Sequence, residues 1–278
     1  MGLFKKEVCV LCAGKTGMLD KKCIDGKICK DCRDKLSVWF DDYKDSTQTD
    51  LLRQIQQKNI DEAEAAHHAF NRIYGESGVI LIDDEARLFT ALPSTSKKLF
   101  GNSIQVSSIH DVLDFHPDLI SFDSVKDIEI DIQEMTHEQK RTVDGKQVSY
   151  TPPRYEYHYV FTLRFKIEDP DRPYVKSAYV TLNRDAVKIK NVGPRAWTNP
   201  GRRLAAHLLD LPGLIVEDKA AIYDNESFLA CFFRSEYEMP AMSYGFQCTA
   251  ENWPDIRKYQ YYLALSREIK ETIMGKDA

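Results

Sequence analysis

Two cysteine pairs stand at the front of this chain, Cys9-Val10-Leu11-Cys12 and Cys29-Lys30-Asp31-Cys32, with sixteen residues between them. Deprotonated thiols are soft metal ligands, and a two-residue gap lets both sulfurs of one turn reach the same ion. Two such turns fill a tetrahedral shell and leave no position for water. The spacing therefore predicts a structural zinc site on Cys9, Cys12, Cys29 and Cys32. Iron in a rubredoxin-like site uses the same donors, so spacing alone leaves that alternative open. A closed site of this kind folds a segment too small for a core of its own, so losing one ligand is expected to unfold that segment. Cys23 is a fifth thiol nearby; it falls inside a hairpin strand and reads as packing.

The other chemistry-bearing residues form no catalytic set, and none is nominated as catalytic. Small treble-clef nucleases need a histidine base beside the metal, but the first histidine here is His67. Gly14-Lys15-Thr16 looks like the end of a phosphate-binding loop, yet Cys9 stands where that loop needs glycine. His67 and His68 are neighbours on a helical stretch, so they diverge by about 100° and share no ligand face. His207 could serve as base to the isolated thiols Cys231 or Cys248, which keeps an unrecognised cysteine enzyme as an alternative. Residues 1–40 carry eight Lys and one Arg against five acids. Four thiolates and a zinc ion reduce that excess to two, too little for a nucleic-acid footprint, and the interleaved aromatics of a single-strand binder are missing.

The elements that must hold these cysteines follow from turn signals and periodicity. Asp25-Gly26 marks a hairpin between the pairs, and the segment after Cys32 suits a short helix with Leu36 and Phe40 on one side. Knuckle, hairpin, knuckle, helix is a treble-clef-like order, placed at 1–40. Residues 41–72 read as a helical linker whose apolar face is Leu51, Leu52, Ile55, Ile60, Ala63 and Ala66. From about Ile73 the period becomes two. Val79–Asp83 and Arg87–Leu92 flank a turn at 84–86, and Ile128, Ile130 and Ile132 alternate with acids. In Tyr155–Ile167 seven large apolar residues share one face, the signature of a half-buried antiparallel strand. Tyr174–Leu182 is a further strand. Asp144-Gly145 closes an excursion between strands, and Pro152-Pro153 is expected to bar pairing before Tyr155. Residues 190–250 read as an irregular insertion with a short helix at Arg202–Leu211, and 252–274 as a closing helix.

The fold class is thus α+β: a small four-cysteine zinc finger, a helical linker, and an antiparallel β-rich domain over 73–278 with a C-terminal helix. The net charge of −5 removes any global pull toward nucleic acid or an anionic membrane. No apolar run reaches the roughly 20 residues needed to span a bilayer, and the lysines of the first six residues have no signal-like apolar stretch behind them. Five of the seven cysteines cluster in the first 32 residues, which suits metal ligation in a reducing cytoplasm.

The head Met1-Gly2-Leu3-Phe4-Lys5-Lys6, the cysteine pairs, and Lys27–Cys32 followed by Lys35-Leu36-Ser37 resemble a family of bacterial proteins. Its members carry an N-terminal treble-clef-like zinc-finger module of unknown function, commonly ahead of a pleckstrin-homology-like domain. Ile120-Ser121-Phe122, the strand Tyr155–Ile167, Arg172-Pro173-Tyr174-Val175 and the last helix with Tyr262, Ala264 and Glu268 are similar to that second domain. The resemblance implies a PH-like β domain and a metal-stabilised binding or adaptor protein, and it names no ligand. With the cysteine usage and the missing catalytic set, the expectation is a cytoplasmic, non-enzymatic protein that acts by contact with another protein. It also raises an alternative, peripheral binding of a membrane or lipid through the PH-like domain, with Arg164, Lys166, Arg202 and Arg203 as its basic candidates.

Overall fold

The computed structural model describes residues 7–93, 106–190, 229–231, 246–248 and 253–275. The expected helix at 202–211, with Arg202, Arg203 and His207, lies outside them, as does most of the 190–250 insertion. The chain divides into two compact units, one of residues 1–130, 163–184 and 268–278, the other of 131–162 and 185–267.

The first unit begins with a small hairpin, β1 (Lys21–Cys23) against β2 (Gly26–Ile28), turning at Asp25-Gly26, and a one-turn helix α1 (Lys30–Arg33). Helix α2 (Gln48–Ala65) follows. Thr47 caps it and forms a capping box with Asp50, which fixes the start of the helix. Its buried stripe is Leu51, Gln54, Lys58, Asp61 and Ala65. This differs from the sequence expectation: Leu52 and Ile60 are exposed, and three of the five buried positions are polar or charged. The stripe has helical spacing, but its side chains are held by partners far along the chain.

Four antiparallel strands then form a sheet in the order β3 (Arg72–Tyr74), β4 (Val79–Asp83), β5 (Leu88–Leu92), β6 (Ile120–Ser121). Every residue of β4 is buried, because both faces are covered. Val79 and Leu81 join Leu92, Ala65, Ile109 and Val112 in one cluster. On β5, Phe89 stacks on Phe165 at 5.3 Å between ring centroids. The β4–β5 turn is closed by Asp83, whose Oδ1 accepts from the amides of Glu85 and Ala86 at 3.1 and 3.0 Å. Strand β9 (Ser177–Thr181) pairs with β8 (Lys146–Ile167). At its end the carbonyls of Thr181 and Leu182 accept from Gly78 and Glu76 at 2.8 and 2.7 Å, joining it to the approach to β4. Gly78 sits where a Cβ would stand 2.6 Å from Val180 Cγ1, so only glycine permits this approach.

Strands β7 (Val125–Val143) and β8 make one long hairpin, and the division between the units crosses both of them. Asp144 and Gly145 form its two-residue turn, both with positive φ (50° and 76°), as hairpin turns that match strand twist require. Two expectations are corrected here. Asp144-Gly145 joins two paired strands directly, and β8 runs straight through Pro152-Pro153. Among the described residues β8 has a neighbour on one side only at those prolines, since β10 (Val187–Lys190) pairs no further out than Glu156. Successive strand residues direct their N–H groups to opposite sides, so one of the two prolines faces that free edge at no cost and the other removes one donor to β7.

In the second unit β10 pairs with β8 in the register Val187↔Tyr159, Ile189↔Tyr157, and β11 (Leu229–Cys231) pairs with β12 (Phe246–Cys248). Helix α3 (Trp253–Met274) supplies Tyr259 and Tyr262 to this unit. Tyr259 packs edge-on against Tyr159 and Phe161, each at 4.9 Å, and Tyr262 stacks on Phe161 at 5.6 Å. The later turns of α3 serve the first unit, where Glu268 accepts from Tyr74 Oη at 2.8 Å. No described helix is long and apolar enough to cross a membrane.

Candidate metal centre

The first knuckle is folded by its own backbone. Cys9 donates its amide to the Gly14 carbonyl at 2.7 Å, and Ala13 donates back to Cys9 at 2.8 Å. Ala13 takes a left-handed φ of 57° to make that turn. A Cβ on Gly14 would lie 3.2 Å from Cys12 Sγ, so glycine there keeps the sulfur's space free. The second knuckle is the entry to α1: Cys29 occupies the N-cap and Cys32 lies within the helix. The two knuckles are stitched by Val10 N donating to the Lys27 carbonyl at 2.9 Å and by a bridge between Cys9 and Lys27.

This brings all four predicted sulfurs together. Those of Cys9, Cys12, Cys29 and Cys32 lie within 4.8 Å of one another, and the cluster can hold a metal ion. Cys12 Sγ and Cys29 Sγ are 3.6 Å apart. Cys9, Cys29 and Cys32 are buried, whereas Cys12 is exposed. Cys23 is buried in the same apolar cluster as Ile28, Leu36, Phe40, Tyr43 and Leu51.

The electrostatics suit a bound cation. Burial pushes the Cys9 thiol up, but amides of Cys29, Cys12 and Leu11 aimed at its sulfur outweigh burial and bring it down to about 6. The Cys29 amide is 3.3 Å from that sulfur. Cys32 is driven the other way, by burial and then by the sulfurs of Cys12, Cys29 and Cys9. At Cys29 the amide of Cys32 favours the thiolate, but burial and the Cys12 and Cys9 sulfurs hold it above the ordinary thiol value. One thiolate forms readily, and each further one is opposed by the charge already present. A bound cation reverses that opposition and ionises the set.

Sequence reasoning missed the polar cluster that fixes this module to the sheet of the same unit. Just after the second knuckle, Ser37 Oγ donates to Asp118 Oδ2 at 2.6 Å, and Ser37 N donates to Gln54 Oε1 at 2.9 Å. Trp39 Nε1 donates to the Ala91 carbonyl of β5 at 3.2 Å, and its ring packs edge-on against Tyr179. Lys58 Nζ lies 3.1 Å from Asp118 Oδ1, an ion pair with both partners buried, though off the hydrogen-bond direction. Asp61, fully buried, accepts from Arg172 Nε and Nη2 at 2.8 and 2.5 Å and from Leu119 N at 3.2 Å. The partners of α2 lie some 60 and 110 residues away, and no local pattern announces them.

The remaining candidates do not assemble with this centre. His68 Nδ1 lies 3.1 Å from Asp83 Oδ2 at the β4–β5 turn, a contact that orients the ring rather than a ligand set. Cys231 and Cys248 sit on paired strands β11 and β12, but their side chains fall outside the described residues. Among the described residues the four cysteines are the one group of His, Cys, Asp or Glu with metal-ligand geometry.

Residues 7–54 match a family described as a domain of unknown function (DUF4428). The matched span takes in both knuckles, α1 and the first turns of α2, including Leu51 and Gln54, which pack on or bond to the knuckle module. No curated protein and no solved structure matches the chain.

Proposed function

We propose that the chain is a non-enzymatic binding or adaptor protein, stabilised by one structural zinc ion on Cys9, Cys12, Cys29 and Cys32, that works by contact with another protein in the cytoplasm. The observation that carries the reading is the closure of four sulfurs around one point. Sulfurs at about 2.3 Å from a tetrahedral zinc lie about 3.8 Å from one another, and the Cys12–Cys29 separation of 3.6 Å fits that edge. Four protein donors leave no open position for a reacting water, which favours a scaffold over a catalyst. A PH-like reading of the β domain is supported by the succession of antiparallel strands closed by a helix, and by the hydrogen bonds that join the end of β9 to the approach to β4.

Metal analysis of the purified protein tests this. About one zinc per chain is expected, with all four thiols protected from alkylation until a chelator is added. Protein that is folded while free of metal overturns the structural-zinc reading. So does spectroscopy of a cobalt-substituted sample showing a water in the shell.

A further inference from the structure

The outer part of the β7–β8 hairpin buries almost nothing. Residues 140–149 are all exposed, and among them Val143 and Val148 are each 41% exposed. Counting outward from the Asp144-Gly145 turn, Arg141 and Val143 on one strand share a face with Lys146, Val148 and Tyr150 on the other. Arg141 lies over the Tyr150 ring at 5.7 Å, and Arg154 lies over it at 4.5 Å, which sets Arg154 on that face too. The opposite face carries Lys140, Thr142, Gln147 and Ser149, with Gln147 Nε2 donating to Thr142 Oγ1 at 3.0 Å. One face thus carries three cations, two valines and a tyrosine without an acid, while the other has Lys140 and Glu138, and Asp144 stands at the turn between the strands. Among the described residues Arg141, Lys146 and Arg154 have no carboxylate partner.

Lysine, arginine and proline on an exposed ribbon discourage edge-to-edge aggregation, and that alone accounts for Pro152-Pro153 and for some of the charge. It does not account for exposed valines beside the cations, which work against it. Cations for phosphate or carboxylate headgroups, a tyrosine at headgroup depth and short aliphatic side chains beyond it are the composition of a surface that rests in a membrane interface. A nucleic-acid backbone would use the cations and leave the valines without a role.

We propose that this ribbon face is a contact site for an anionic lipid surface. The cations supply most of the attraction, about fivefold in partitioning for each one brought to an anionic leaflet. The valines add a smaller contribution that salt does not screen. The inference stands on the hairpin alone and is independent of the zinc reading.

The test is sedimentation of the full, metal-loaded chain with vesicles of phosphatidylcholine alone and of phosphatidylcholine and phosphatidylserine in equal parts. Binding is expected only with phosphatidylserine, and salt weakens it. The variant Arg141→Gln/Lys146→Gln/Arg154→Gln should bind about a hundredfold more weakly, with an unchanged circular-dichroism melt because these side chains touch no core. Tyr150→Trp gives a second readout that needs no loss of function: its emission, taken as the difference from the wild type with Trp39, Trp197 and Trp253, should shift to the blue on adding the anionic vesicles. Failure of the wild-type chain to sediment, equal binding to neutral vesicles, or undiminished binding by the triple variant overturns the proposal. An unshifted Tyr150→Trp emission in protein that sediments does the same. Retention on duplex DNA or on an acidic polypeptide without vesicle binding assigns the face to another partner and equally overturns it.

Discussion

Arg172→Met is the sharpest probe of what holds the metal module's helix to the rest of its unit. The Asp61 carboxylate has no exposed surface and accepts from four donors: two guanidinium nitrogens of Arg172, the Leu119 amide and Gln57 Nε2 at 2.9 Å. Methionine keeps the length of the side chain and removes its charge, leaving the carboxylate buried with two neutral donors. Breaking a buried pair from one side costs about 3–5 kcal/mol, and the two remaining donors place the expectation at about 3 kcal/mol. That is a large part of a typical folding free energy of about 5–15 kcal/mol. At about 2–4 °C per kcal/mol for a chain of this size, the melting temperature should fall by roughly 10 °C. Thermal and urea melts followed by circular dichroism give the number, and the double variant Asp61→Asn/Arg172→Met separates its causes. With the Asp61 charge gone the double variant should recover part of the loss, the remainder belonging to buried Asp169, whose Oδ2 also pairs with Arg172 Nη1 at 3.3 Å. A cost below about 1 kcal/mol for Arg172→Met, or a double variant no better than the single one, would refute the claim that a paired buried charge fastens α2.

Three further outcomes are expected. Cys29→Ser should weaken more than the knuckles, because Ser37 binds Asp118 and Trp39 binds the Ala91 carbonyl of β5. In a Trp197→Phe/Trp253→Phe background, where Trp39 is the one tryptophan left, its fluorescence and the β-sheet signal should then melt together, earlier than without the Cys29 change, and separate transitions would argue for an autonomous module. Gly78→Ala puts a methyl 2.6 Å from Val180 Cγ1 and 2.8 Å from the Leu92 carbonyl, and overpacking of that kind costs about 1–3 kcal/mol in a urea titration. At Asp83 burial favours the neutral acid, but the Ala86 amide and His68 outweigh it and hold the carboxyl below its ordinary value. A carboxyl depressed by folding contributes stability above its unfolded pKa and loses it as the pH falls through the folded one. The wild type should therefore lose stability below about pH 4, and Asp83→Asn should flatten that part of the profile.

The cysteine pairs were legible because each knuckle is made by its own few residues: Cys9 bonds to Gly14, and Cys29 opens the helix that contains Cys32. Strand β8 was legible because alternation over Tyr155–Ile167 has one simple explanation, and Tyr157, Tyr159, Phe161, Leu163, Phe165 and Ile167 are all buried. Helix α2 was misread for a physical reason. Hydrophobic periodicity assumes that the buried face is apolar, but Gln54, Lys58 and Asp61 are buried by partners at 37, 118 and 172. Pro152-Pro153 misled in a similar way, since the penalty for proline in a strand depends on whether a neighbour needs that N–H, which the sequence does not reveal. The domain of unknown function matched over 7–54 already includes the start of α2, so the similarity runs past the knuckles into the helix that carries this polar stripe.

Three of the four cysteines are buried and one, Cys12, is exposed. A lopsided cage of this sort has a front door. Thiol chelators, competing ions and oxidants would meet this residue first, so the rate of ion exchange should answer to a single side chain.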